Sequence, residues 1–171
     1  GNTQTYVYPN MTARKFTFDA TNVLAEFPPL KSSEDTTYLM MMAHYDSRYP
    51  WKLINDTVTS KGASDDGYGL GVILECVHQA LYYRESWNQG IKVLFTDAEE
   101  VDLQGMKAAY KYNKEIFNDV GLILNIESRG PFGPVLLFET SPRNEQLVKL
   151  YANHTRYPFA YSIMNMVYQK M

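Results

Sequence analysis

The sequence predicts an α/β fold, a three-layer αβα sandwich built on a mostly parallel, mixed central sheet, and three observations lead to it. Short apolar runs of strand length recur at residues 37–43, 91–96 and 120–127. Segments with helical periodicity, 70–83 and 103–110, lie between them, and strand–helix alternation is the pattern of a parallel sheet with crossover helices. Each apolar run also ends in groups able to do chemistry: His44-Tyr-Asp46, Asp97-Ala-Glu99-Glu100 and Glu127. Open α/β sheets bind their ligands at the C-terminal ends of strands.

Composition narrows the class. A chain of 171 residues with 45% apolar and 20% charged residues has the make-up of one globular domain able to bury a core. The net charge of −3 offers no basic footprint for nucleic acid. No run reaches the roughly 18 apolar residues of a membrane span. The single cysteine, Cys76, rules out an internal disulfide and a cysteine-built zinc site. It falls on the apolar side of the helical segment 70–83, which predicts a buried, inert thiol. Sequons at Asn10, Asn55 and Asn153 hint at a secreted or lumenal setting.

Taken in order, residues 1–14 read as an extended lead-in of little periodicity. Residues 16–27 alternate and suggest an edge hairpin, closed by Pro28-Pro29. The continuous run 37–43 predicts a central strand, delivering His44, Tyr45 and Asp46 at its end. A carboxylate near an imidazole fixes its tautomer and raises its basicity as a ligand. The long loop 48–62, with Tyr49, Pro50 and Trp51, is of a length that is usually functional.

Next comes Gly62-Ala-Ser-Asp65-Asp66-Gly-Tyr-Gly69, which opens a helix whose apolar positions are Ile73, Leu74, Val77, Ala80 and Leu81. One of the two aspartates can cap this helix, and the other can be aimed at a cation across the sheet. His78 reads as a surface or structural residue. The run 91–96 then presents Glu99 and Glu100, adjacent carboxylates that repel unless a cation or a shared proton relieves them. After the third run and its Glu127, a turn at 130–134, a strand at 135–139 and a helix at 145–152 complete the readable pattern, and no domain boundary is evident. One imidazole with several carboxylates and no thiolate suits zinc or a harder divalent ion.

Those motifs together resemble the M28 zinc aminopeptidases, nearest to their endoplasmic-reticulum and membrane-linked metallopeptidase branch, over roughly residues 20–170. The resemblance implies a zinc-aminopeptidase-like fold and two zinc ions. His44 and Glu127 would be terminal ligands of one and Asp65 the bridge. Glu100 would bind the other, Glu99 would be the general base that takes a proton from the attacking water, and Asp46 would hold His44. It implies an exopeptidase acting on peptides with a free N-terminus, in a lumenal or extracytoplasmic domain of a membrane-anchored parent. The family completes its second zinc site with a downstream histidine. His154, the only later one, sits in Tyr151-Ala-Asn-His-Thr155, out of that context. The expectation is therefore a single catalytic domain, 1–171, lacking its C-terminal part. Such a chain would bind one zinc or none and would self-associate through an uncovered sheet edge and the apolar segment 159–167. A single-zinc glutaminyl-cyclase-like acyltransferase and a non-catalytic binding domain are the alternatives on the same scaffold.

Overall fold

The computed structural model describes residues 1–13, 15–48, 60–128, 133 and 135–160. They fall into two compact units, Gly1–Ser128 and Arg129–Met171. The loop residues 49–59, with Asn55, most of the turn at 130–134, and residues 161–167 of the expected apolar segment lie outside the described residues.

In the first unit five strands form one sheet in the order β1-β2-β4-β3-β5. Strands β3 (Tyr38–His44), β4 (Gly90–Thr96) and β5 (Val120–Asn125) run parallel, with β3 in the middle as its apolar run predicts. The antiparallel part is a long hairpin, β1 (Asn2–Ala13) on β2 (Phe16–Phe27), with β2 also antiparallel to β4. The expected edge hairpin is thus larger than its sequence pattern indicates. Residues 16–27 make one continuous strand, and its partner is the supposed lead-in. Tyr6 and Tyr8 turn toward the protein while Thr3, Thr5 and Val7 face solvent, and only Met11 and Ala13, beyond a register shift, continue the half-buried alternation of an edge strand.

Side chains alternate across β3 and build two cores. Met40 and Met42 join Leu24, Leu94, Ala109 and Ile116 on the face covered by α2 (Gln104–Tyr112). Met41 and Ala43 join Val93, Ile73 and Val77 on the face covered by α1 (Gly67–Leu81). Helix α1 touches the sheet along the narrow ridge Gly69, Ile73 and Val77. Leu74 is consequently exposed, and so is Cys76, contrary to the expectation of a buried thiol. His78 is exposed, paired loosely with Glu75.

Lys92, only 3% exposed, lies in the first half of β4. It donates to Asp119 Oδ1 at 2.6 Å and to the Ile116 carbonyl at 3.1 Å, and it sits 3.2 Å from Glu26 Oε1. A buried ammonium needs such partners because its desolvation is otherwise prohibitive. At the β5 edge Ile123 and Leu124 are exposed.

In the second unit α3 (Glu145–His154) buries none of its residues. Residues 135–139 do not form the predicted strand. Leu137 makes a single parallel bridge with Ala160, and the Tyr151 hydroxyl ties in the backbone of Phe159. No helix among the described residues is long and apolar enough to cross a membrane.

Candidate metal centre

Parallel strands in register end together, and that places the site. His44 is paired with Thr96 across β3 and β4, Met42 with Asn125 across β3 and β5, and the Ile126 N–H donates to the Met42 carbonyl at 2.8 Å. Residues 44, 97–100 and 127 therefore leave the sheet at one edge.

The imidazole of His44 is buried at 2% exposure. Its Nδ1 faces Asp46, 3.0 Å from the backbone carbonyl and 3.3 Å from Oδ1. Its Nε2 points at two carboxylates, Asp65 Oδ1 at 3.1 Å and Glu127 Oε1 at 3.5 Å. Both of these side chains are about half exposed. One ligand atom from each of His44, Asp65 and Glu127 lies within 4.8 Å of the others, a group that could hold a metal ion.

The aspartate pair at the start of α1 divides its labour. Asp66 caps the helix, its Oδ1 accepting the Gly69 N–H at 3.0 Å. A Cβ on Gly69 would fall 2.2 Å from Asp66 Oδ2, so the cap requires glycine there. Burial pushes the Asp66 carboxyl up to about 6 against that hydrogen bond. Asp65, one residue earlier, is left to face His44.

Glu99 and Glu100 stand beside the triad, outside it, on the loop that follows β4. Burial raises the Glu99 carboxyl, Glu127, Glu100 and Asp46 raise it further, and His44 opposes them. Glu100 is raised by burial and by Asp65 and Asp46, against Arg48 and His44. Its Oε1 is buried with no hydrogen-bond partner among the described residues. Carboxylates so crowded favour either a cation or a shared proton. For His44, burial disfavours the charged ring, but hydrogen bonds to Asp46 and Glu127 and the charges of Glu127 and Glu99 prevail. Together they push it up to about 11.

The Peptidase family M28 model matches residues 22–171. The chain belongs to peptidase family M28. Among curated proteins it is similar to mouse endoplasmic reticulum metallopeptidase 1, 28% identical over 149 residues, which is 87% of this chain and 15% of that protein. The fold of this M28 member is shared with Porphyromonas gingivalis glutaminyl cyclase at a TM-score of 0.63 and 22% identity, over 88% of this chain and 53% of that one. It is shared also with a Zn-dependent exopeptidase from Parabacteroides distasonis at a TM-score of 0.62 and 19% identity, over 89% and 54%. The chain thus spans about half of those solved structures and a small part of its curated relative.

His154 lies in the second unit, exposed, with its Nδ1 2.9 Å from the Leu150 carbonyl of its own helix. Sequence reasoning missed the supports beneath the candidate site, chiefly Asn22 and Gly105. One signal was available. Asn22 occupies an inward position of β2 between Ala20 and Leu24, and a polar side chain at a core position calls for a dedicated partner.

Proposed function

We propose that the chain carries the site of a zinc-dependent aminopeptidase, with peptides bearing a free N-terminus as substrates. The observation that carries this is the convergence of His44 Nε2, Asp65 and Glu127 beside Glu99 at one sheet edge. The donor set fits zinc. It offers three protein ligands from one imidazole and two carboxylates, and the buried Glu100 Oε1, without a hydrogen-bond partner among the described residues, is a further donor beside them.

His44, Asp65 and Glu127 would hold one zinc, and Asp65 with Glu100 would contribute to a second in the complete site. When bound, zinc supplies Lewis-acid polarisation of the scissile carbonyl and acidifies water. Asp46 keeps the His44 Nδ1 proton occupied, so the Nε2 lone pair is the one offered outward. Glu99 takes a proton from the attacking water as its oxygen bonds to the carbonyl carbon, then passes that proton to the departing amine nitrogen as the C–N bond breaks. Its raised carboxyl suits a group that must both accept and return a proton. The surrounding carboxylates favour a protonated α-amine and so a substrate's free N-terminus. Similarity to an endoplasmic reticulum metallopeptidase and to a vacuolar membrane protease of Candida dubliniensis supports a membrane-anchored parent, with this domain on the lumenal side.

The test uses the full-length gene product, assayed for bound zinc and for release of amino acids from amino-acyl amides and from N-acetylated counterparts. Zinc together with hydrolysis of the free-amine substrates alone is the expected result. Cyclisation of N-terminal glutamine in place of hydrolysis would assign the chain to glutaminyl-cyclase chemistry, and neither activity would leave a binding domain.

A further inference from the structure

The loop that carries Glu99 and Glu100 is an unusual piece of backbone. Between Asp97 and Gly105 it passes through three non-glycine residues in left-handed conformation, Ala98 at φ 54°, Asp102 at 69° and Leu103 at 57°. Side chains rarely adopt that region, and it persists only where the surroundings hold it. Within the loop, the Leu103, Gln104 and Gly105 N–H groups donate to the Glu99, Ala98 and Asp97 carbonyls at 2.9, 2.9 and 3.0 Å. From the site side, Asp46 accepts the Glu99 and Glu100 N–H groups.

The remaining hold comes from β2. Asn22 is fully buried. Its Oδ1 accepts the Asp97 N–H at 3.0 Å and its Nδ2 donates to the Gly105 carbonyl at 2.9 Å, so one side chain binds both ends of the loop. Those ends need an acceptor and a donor a short distance apart, and a carboxamide presents the two on one planar group. The approach is close. A Cβ on Gly105 would fall 2.6 Å from Asn22 Oδ1 and 2.1 Å from the Asp97 carbonyl oxygen. The adjoining Thr21 N–H donates to Asp97 Oδ2 at 2.9 Å, a second tie from the same strand.

We propose that Asn22 is a positioning residue of the site, its carboxamide clasping the Asp97–Gly105 loop so that Glu99 and Glu100 are held opposite His44 and Asp65. The proposal rests on the metallopeptidase reading and extends it to a residue that touches no substrate or metal. Packing alone does not explain it, since leucine has the same branched shape and would bury apolar atoms between Ala20 and Leu24, though its bulkier methyls cannot come as close to the loop as the carboxamide does. What leucine cannot do is fix where the loop leaves the sheet. A reacting group displaced by about 1 Å loses up to about 10²-fold in rate.

The test compares Asn22→Asp and Asn22→Leu with the wild type in the zinc-loaded full-length gene product, using the amino-acyl amide that the wild type hydrolyses fastest. Asn22→Asp keeps the acceptor for Asp97 and sets an oxygen against the Gly105 carbonyl, whereas Asn22→Leu removes both bonds. The expected result, at saturating zinc, is a fall in kcat of about 10-fold for the first and about 10²-fold for the second at nearly unchanged KM. Ile116→Val, in the same core but away from the loop, should lower the melting temperature without lowering kcat. Wild-type kcat per folded molecule in either Asn22 variant would overturn the proposal, whatever the loss in melting temperature. Amide exchange in the unsubstituted protein needs no variant: the Asp97 N–H should exchange as slowly as that of Leu94, and exchange at the rate of an open loop would overturn the clasp even if the Asn22 variants fail to fold. A wild type lacking zinc and hydrolysis would sink the metallopeptidase reading instead, with the exchange measurement still reporting on the loop.

Discussion

Asp46 joins the two halves of the site: its Oδ1 lies 3.3 Å from His44 Nδ1 and accepts the Glu99 N–H at 3.0 Å, while its Oδ2 takes the Glu100 N–H at 3.2 Å. Burial works against the ionised carboxyl, but His44 and these two N–H groups outweigh it and hold it below the usual range. An amide in its place keeps one acceptor and turns the other into a donor facing an N–H. Asp46→Asn should therefore loosen both the imidazole and the glutamate loop, lowering zinc affinity by about 10–100-fold. Competition against a calibrated chelator measures it, and unchanged affinity would show that His44 is oriented by other means.

Glu99 and Asp65 should separate when each is made an amide. Glu99 lies outside the triad that could hold a metal, whereas Asp65 faces His44 Nε2 directly. Glu99→Gln should leave zinc content near that of the wild type and reduce hydrolysis by about 10²–10⁴-fold, the range for losing a general base. Asp65→Asn should lower the zinc content itself. Full activity in Glu99→Gln would remove it from the role of base.

The strands that position this site were legible because each is a short apolar run ending in a ligand-type residue, and parallel register then gathers residues 44, 97–100 and 127 without further information. The division between Asp65 and Asp66 was legible only as a choice, since neither neighbour in sequence says which carboxylate turns inward. β1 was obscured by its thin alternation, and apolar content at 135–139 does not show that, among the described residues, its pairing is one bridge from Leu137 to Ala160. Cys76 was misjudged because a helix lying on a sheet along the ridge Gly69, Ile73 and Val77 buries a narrower stripe than its apolar residues cover. The Asn22 clasp could not be read locally, since its partners lie 75 and 83 residues further along.

The Lys92 cluster offers a test of stability apart from chemistry. It lies in the first half of β4, and the glutamates follow that strand's far end. Asp119→Ala removes the 2.6 Å partner of a buried ammonium but leaves Glu26 and the Ile116 carbonyl in place. Hydrogen bonds to charged groups contribute about 1.5–3 kcal/mol, and Asp119 is partly exposed, so the loss should fall toward the lower end. Urea unfolding should show a reduced midpoint with an unchanged slope, alongside unchanged zinc content. A midpoint equal to that of the wild type would mean that Glu26 and the Ile116 carbonyl suffice for Lys92.

Without metal, the site should depend on pH in the direction opposite to that of a depressed carboxyl. His44 is raised from 6.5 to about 11, burial being outweighed by Asp46, Glu127 and Glu99. A raised folded-state value means that the charged ring stabilises the fold. That contribution is fully present below about 6.5 and is lost as pH rises through about 11. Melting of the metal-free protein should accordingly fall between pH 6.5 and about 9, below the range in which ordinary tyrosines titrate. Zinc needs the neutral imidazole, so at pH 7 its binding must expel the His44 proton, and affinity should rise by about tenfold per pH unit. Calorimetry in two buffers of different ionisation heat should count about one proton released from His44 with the first zinc. No released proton, together with a flat melting profile over that interval, would mean that His44 is already neutral in the metal-free protein and that its carboxylate neighbours carry the protons instead.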